Sequence, residues 1–455
     1  MIVKQRSPRL PLLTTIGLVI SVSCVTEVVD GDPDDSGTAL VDAAADAGVA
    51  HDVGVDAGGV VDAGEGADAV VDSGAGQDSG ANDGASADAG TEPGEARGVW
   101  VTRWNYSSQA DVETIVQQVA ENGFNQIYFQ IRGSADAYYQ SSLEPWAAGL
   151  SGTLGQDPGW DPLQVAIDAA HGAGLELHAW LNTFAAWSCS LELPQSSGVP
   201  HVLEAHPEWA AVDSGGASML DGCTESYIFL SPGLPEVQAH IQAVTAEIAA
   251  YAVDGIHLDY IRYPGRDYSH DTVSEARYVE AQANDSSLTW EDWQRQQINA
   301  TVQGVFEGVT AVRPATVLSA AVWFVYENSW GWSSVSQGNV DYYQDPRAWS
   351  AAGSIDVVVP MLYFPLTDPP GGRLDFRTLL QDHIAGNAGR HVYAGLEVDF
   401  ASFDETAAQI AVTRELGAPG FVAFAYTHLE SNGYWDEFAA GPNADPASPP
   451  VLPWR

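Results

Sequence analysis

The sequence predicts an α/β fold, a (β/α)8 TIM barrel with long βα loops, preceded by an export signal and an acidic linker. Three observations carry this reading. Eight β-like runs alternate with amphipathic helical stretches across residues 98–425. Glycine-bearing returns stand where helices should give way to the next strand, at Asn122-Gly123, Ala173-Gly174 and Leu416-Gly417,. Chemically capable residues gather directly after the β-like runs, where such a barrel keeps its chemistry. An open doubly wound sheet would want a phosphate-type glycine fingerprint early on, and the chain carries none,.

Taken in order, the run 98–102 leads into Arg103-Trp104-Asn105-Tyr106 and a helical stretch over 111–122. The second, 126–131, is followed by Arg132, Asp136, Tyr138 and Tyr139, then Glu144-Pro145-Trp146 and a helix over 161–173. The third, 176–181, ends in His178-Ala179-Trp180-Leu181-Asn182, and an insertion to about residue 232 precedes a helix over 235–252. In the fourth, 255–259, the helices outside claim Ile256 and Leu258, so alternation turns His257 and Asp259 toward the barrel axis,. Tyr260, Arg262 and a Tyr263-Pro264 stop follow at once, before a helix over 289–312.

The fifth run, 317–322, opens onto Trp323, Tyr326, Glu327, Trp330 and Trp332, and a helix over 345–352. The sixth, 356–362, closes with Tyr363-Phe364-Pro365 before a helix over 376–384. The seventh, 392–398, carries Glu397 just ahead of Asp399, with a helix over 404–416. The eighth, 420–425, ends at a loop Tyr426-Thr427-His428.

Composition divides the chain into four segments. Residues 1–24 read as an export signal: Lys4, Arg6 and Arg9, then an apolar run from Leu10 to Val22 that is too short and interrupted to span a membrane,. Ser-Val-Ser-Cys resembles a bacterial lipoprotein box, with Ser21 where an aliphatic residue is usual, so Cys24 is the expected lipidation site and plain secretion the alternative. Residues 25–95 hold 18 acidic residues, no Lys or Arg and no aromatic. They cannot bury enough apolar surface to offset chain entropy, and a disordered tether on the order of 45 Å is expected. Residues 96–440 form the barrel, and 441–455 are a Pro-rich C-terminal tail.

Beyond the linker the chain has 14 Arg, no Lys and 43 acidic residues. A surface that acidic argues against nucleic acid or anionic lipid as a partner and fits a neutral or cationic substrate. Membrane association is expected only through the N-terminal lipid, and the protein is expected to be a monomer. Export is expected: an outer-membrane or cell-surface lipoprotein, otherwise a periplasmic or secreted protein. Cys189 and Cys223, an even pair in an oxidising compartment, are predicted to form a disulfide,. Two isolated cysteines do not make a metal site.

Several motifs occur together in order: Ala96-Arg97-Gly98-Val99-Trp100-Val101-Thr102-Arg103, Gln130-Ile131-Arg132 with Asp136-Ala137-Tyr138-Tyr139, Asp161-Pro162-Leu163, His178-Ala179-Trp180-Leu181-Asn182, and Asp254-Gly255-Ile256-His257-Leu258-Asp259-Tyr260. Over residues 95–440 the chain resembles the bacterial glycosyl-hydrolase-like ten family of exported, often lipid-anchored barrel proteins. The resemblance implies a carbohydrate substrate. A relative in that family is implied to hydrolyse peptidoglycan glycan strands stripped of their peptides.

Glycoside hydrolysis needs two carboxylates, one ionised and one held protonated. Asp259 is the expected nucleophile or base, kept ionised by Arg262 or Arg132. Glu397 is the first candidate for the acid, followed by Asp399, Glu327 and Asp136. Sugars offer flat apolar faces with polar edges, so a glycan groove is expected from Trp104, Trp180, Trp323, Trp330, Tyr363, Tyr426 and Tyr263, with Arg132, Asp136, Asn182, His257 and Arg262 at the edges. Two other classes compete. A non-catalytic glycan-binding lipoprotein would keep the aromatics alone. A metal-dependent deacetylase or amidohydrolase would use His178, His201, His206 and His257, which lack an Asp-His-type ligand motif at one strand end. No cofactor and no metal are expected.

Overall fold

The structure, a computed structural model, describes residues 94–455 apart from 224, 388 and 401. The expected export signal, Cys24 and the linker as far as residue 93 lie outside the described residues. The expected (β/α)8 barrel is present. Its strands are β1 (Ala96–Val101), β2 (Gln126–Arg132), β3 (Glu176–Asn182), β4 (Gly255–Asp259), β5 (Val317–Val322), β6 (Val357–Pro360), β7 in two pieces (His391–Val392 and Ala394–Glu397) and β8 (Gly420–Phe424). All pair in parallel in chain order, and β1 pairs with β8. The ring closes through β7, whose first piece pairs with β6 and second with β8, while Met361 bridges to Gly395.

The connecting helices are α1 (Gln109–Glu121), α2 (Pro162–Ala173), α3 (Pro235–Ala249), α4 (Trp290–Val312), α5 (Pro346–Ala352), α6 (Phe376–Gly386), α7 (Phe403–Glu415) and α8 (Tyr426–Asn432). Local sequence fixes their ends. Ser108 and Asp111 form a capping box at α1,. Asp161 caps α2, Pro162 opens it, and Gly174 at φ 77° closes it,. Gly123 and Gly417 take the same left-handed conformation, as their positions in the sequence require,.

Three features depart from expectation. A helix, Thr272–Asn284, occupies the loop after β4; it is capped by Asp271 but buries only Ser274, so no apolar stripe announced it. Tyr426-Thr427-His428 starts α8 rather than a loop. The insertion after β3 contains an antiparallel ribbon, Ala185–Ser188 with Tyr227–Phe229. The predicted Cys189–Cys223 disulfide ties this ribbon together, with a Cα–Cα distance of 5.9 Å.

Period-two alternation sorts the strand residues into two layers. Ile127, Leu177, Ile256, Leu258, Leu318 and Phe421 pack outward with helix residues such as Val112, Ile167, Ile241 and Val305. Trp100, Tyr128, Trp180, Val357, Val359, Tyr393, Val422 and Phe424 fill the interior. Glycine makes that interior possible. A Cβ on Gly255 would lie 2.1 Å from Nδ1 of His178, and one on Gly98 2.7 Å from the Tyr128 ring.

The tail is not a separate segment. Glu95 N–H donates to Ser448 O at 2.9 Å, Arg97 Nη1 to Asp445 O at 2.7 Å, and Asn125 Nδ2 to Ala447 O at 3.1 Å. Asp356, fully buried at the start of β6, accepts from Leu318 N–H, Trp454 Nε1 and Arg455 Nε, each at 2.8 Å. The last residues thus floor the barrel at its N-terminal end. Truncation after residue 450 removes the cation that compensates Asp356, and urea unfolding should show a loss of at least about 2 kcal/mol. An unchanged midpoint would make the tail dispensable.

Candidate active site

The mouth of the barrel rests on a buried ion pair. Arg132, at the end of β2, is fully buried and meets the equally buried Glu144 twelve residues on, with Nε–Oε2 at 2.8 Å and Nη2–Oε1 at 2.7 Å. Its Nη1 donates to the carbonyls of Asn182 and Thr183 at the end of β3. His240 of α3 approaches Glu144 Oε1 at 3.1 Å. Burial alone would raise the Glu144 carboxyl, but the charges and hydrogen bonds of Arg132 and His240 override it and hold it at about 2,. Arg132 is therefore bound to Glu144 and is not the counter-ion of Asp259.

From this pair the support runs on to Asp259. Thr183 N–H donates to the Asp259 carbonyl at 2.7 Å, joining the tops of β3 and β4. Asn182 Nδ2 donates to Gly133 O at 2.9 Å and Gln130 Oε1 accepts from Arg103 N–H at 3.0 Å, tying β1, β2 and β3 together. Asp259 is 2 % exposed. Its Oδ1 accepts from Tyr260 N–H at 2.6 Å and lies 3.6 Å from Arg262 Nη1. Tyr260 sits at φ 48°, a left-handed conformation that costs a β-strand residue energy and turns the chain sharply,. The turn folds Arg262 back over the Tyr260 ring, 4.3 Å from its centroid.

Glu397, at the end of β7, has a different environment. It is half-buried, and burial followed by the neighbouring Asp399 raises its carboxyl to about 7. Tyr363 relates the two carboxylates. Its phenol is raised by burial and then by the charges of Asp259 and of Glu397. The Tyr363 ring stacks on Phe424 of β8, with centroids 5.3 Å apart. A carboxyl raised to about 7 and one accompanied by a guanidinium thus both act electrostatically on the same tyrosine.

The remaining expected residues separate into those at the mouth and those below or outside it. Trp104 is half-buried, with the Arg103 guanidinium 4.0 Å above its ring. Trp180 is 1 % exposed in the barrel interior, so it packs rather than offering a sugar platform. His257 is fully buried: Trp100 Nε1 donates to its Nε2 at 3.1 Å, and its Nδ1 meets Ser319 Oγ at 2.8 Å. Burial, then His178, pushes its pKa well down and keeps it neutral. Tyr263 is buried against Tyr343. Trp323 packs under its loop with Nε1 on Ser336 O. Tyr426 turns away toward α1, its hydroxyl donating to Gln118. Asp136 accepts from Ser134 N–H and braces its own loop. Glu327 is bound by Asn339, and Asp399 by Asn432.

The four histidines of the metal reading do not converge. His178 and His257 flank Tyr128, His201 bonds Ser134 O, and His206 stacks on Trp209. Two contributors were not anticipated. Glu144 carried no local signal, because its partner is fixed only by the folded loop. Tyr227, on the disulfide-tied ribbon, accepts from Arg103 Nη2 at 3.0 Å and packs edge-on to Tyr260, walling one side of the site.

Comparison with known proteins agrees with this picture. The family described as Glycosyl hydrolase-like 10 matches residues 95–403, and the chain belongs to that family. It is 26% identical over 365 residues to glycosyl hydrolase YngK of Bacillus subtilis (strain 168), covering 75% of this chain and 68% of the relative. It is 29% identical over 262 residues to glycosyl hydrolase DigH of Escherichia coli (strain K12), covering 54% of this chain and 56% of that one. The chain thus spans little more than half the length of the second relative. Among solved structures, the catalytic domain of a β-amylase from Paenibacillus polymyxa superposes with a TM-score of 0.53 at 12% identity, over 76% of this chain and 98% of that one. At that identity the likeness concerns the fold.

The ion pair beneath the mouth makes a direct prediction. Glu144→Gln leaves Arg132 charged and uncompensated in the interior, and denaturant unfolding should show a loss of about 3–5 kcal/mol. The carboxylate's contribution, whole above about pH 4.5, should fade in the native protein as pH falls toward about 2,. That part of the acid sensitivity should be missing from Glu144→Gln. Equal stability of the two proteins at neutral pH would remove the pair from its supporting role.

Proposed function

We propose that this member of the glycosyl hydrolase-like 10 family is a glycoside hydrolase that acts on a cell-envelope or extracellular polysaccharide. Peptide-free peptidoglycan glycan strands are the first candidate. The observation that carries the reading is the pair of carboxyls at the strand ends whose charges both act on Tyr363: Glu397, raised to about 7 by burial and by Asp399, and Asp259, with the Arg262 guanidinium 3.6 Å away. A carboxyl raised toward neutrality and a second one beside a cation are what acid–base division of labour requires. In this reading Glu397 protonates the departing glycosidic oxygen, and Asp259 stabilises or traps the oxocarbenium-like centre, or activates water against it. Tyr363 and Trp104 offer ring faces to the sugar. A neutral substrate suits a chain with net charge −44,.

The Cys189–Cys223 bond supports a place outside the cytoplasm,. With the export-type N terminus, it suggests an exported monomer held to an envelope through Cys24 or secreted.

The test is release of reducing ends from a panel of glycans by the full chain, with mass spectrometry of the products. Asp259→Asn keeps shape and removes charge; turnover should fall at least about a thousandfold, about 4 kcal/mol in the barrier, with the fold intact. A general acid works protonated, so kcat/KM should decline as pH rises through about 7,. In Glu397→Gln that limb should vanish, and the loss should be smaller on substrates whose leaving group needs no proton. Wild-type turnover in Asp259→Asn sinks the catalytic assignment. No cleavage of any glycan leaves a glycan-binding protein on a barrel scaffold.

A further inference from the structure

The loop after β5 carries an aromatic pair that packs against the core on one side and stays partly open to solvent on the other. Trp330 and Trp332 lie two residues apart with Gly331 between them at φ 72°. Their rings stack at 4.5 Å between centroids and 20° between planes, and both remain half-exposed. Single exposed apolar side chains need no explanation, but a contiguous pair of the largest ones does.

The pair is held ready. Asn328 clamps the loop from both sides, its Oδ1 accepting from Trp332 N–H at 3.1 Å and its Nδ2 donating to Trp332 O. Gln337 Oε1 accepts from Asn328 N–H at 2.7 Å. From the neighbouring loop after β6, Arg373 Nη2 donates to Ser334 O at 3.2 Å. These bonds fix the backbone around the rings, which stay partly exposed. Among the described residues neither indole N–H has a partner, whereas those of Trp100, Trp323 and Trp349 do.

The loop is continuous with the candidate active site. It begins at Trp323, whose ring lies 5.2 Å from the Arg262 guanidinium beside Asp259. Seven residues reach at most about 24 Å, so Trp330 lies within a few sugar units of the carboxylates. A flat rigid ring with an outward N–H donor matches a pyranose, whose apolar face stacks and whose rim accepts.

We infer that Trp330 and Trp332 form a distal subsite that stacks a pyranose unit of an extended neutral glycan away from the bond being cleaved. This rests on the glycosidase reading of the mouth. Binding at a distance from the reacting bond, made equally in ground and transition states, lowers KM without touching kcat.

The test uses the full chain with peptide-free peptidoglycan strands and soluble chitin oligosaccharides, and an aryl glycoside as the short substrate. Trp330→Ala with Trp332→Ala should raise KM on the longer glycans at least tenfold, leave kcat within twofold, and leave the short substrate unaffected. Trp330→Phe, which keeps a ring, should recover most of the loss if stacking is the cause. Retardation of the protein in gels containing each glycan gives a readout independent of turnover. Weaker retardation of the double variant supports the subsite even if the wild type cleaves nothing, in which case only the catalytic reading fails. Equal retardation of wild type and variant, or none of the wild type by either glycan, overturns the subsite.

Discussion

The bond that the rest of the mouth depends on is the buried pair of Arg132 and Glu144. One guanidinium binds a carboxylate on the loop after β2 and two carbonyls at the end of β3. The amide of Thr183 then carries that position to Asp259 on β4. A barrel strand ends wherever its last ladder bonds end, so a carboxylate at its tip has no intrinsic precision. Here the loop after β2 and the end of β3 converge on an interior cation that has nowhere else to go. Such a pair adds little net stability over an apolar substitute, because both ions lost their water. What it provides is geometry: Arg132 has five N–H donors in a fixed fork, and each partner must come to it.

The same economy of position separates the two carboxyls. Asp259 is the more deeply buried, yet it has a backbone N–H and a nearby guanidinium. Glu397 is more open, yet its neighbour is another carboxylate. Burial is the larger cause of the rise at Glu397 and the Asp399 charge adds to it, whereas Asp259 has the Arg262 guanidinium beside it,.

Much of the fold was legible because it is written in local rules. The strands follow alternation, and the returns at Gly123, Gly174 and Gly417 follow from the left-handed conformation each adopts. The candidate carboxylates were legible too, since Asp259 and Glu397 both end strands. Depth was not. Alternation says that Trp180 and His257 point inward, but the closed ring decides that they lie below the opening, where Tyr128 and Trp100 fill the bore. Tyr426 failed for a related reason: the chain begins α8 there and swings the ring outward. Arg132 was visible as a cation at a strand end, but its partner lies in a loop whose path no local pattern specifies. Residues 441–455 read as a tail because proline suppresses both periodicities, while their contacts are to Asp356 and to the first strand.

Those closing contacts also set a polarity. Glu95 and Ser448 are bonded to each other at the start of β1, so both ends of the described chain emerge together on the floor. The carboxylates, the ribbon and the Trp330 loop occupy the opposite pole. The described chain thus enters the barrel at the pole away from the carboxylates, and a fusion made at Gly94 would leave the approach to Asp259 and Glu397 clear.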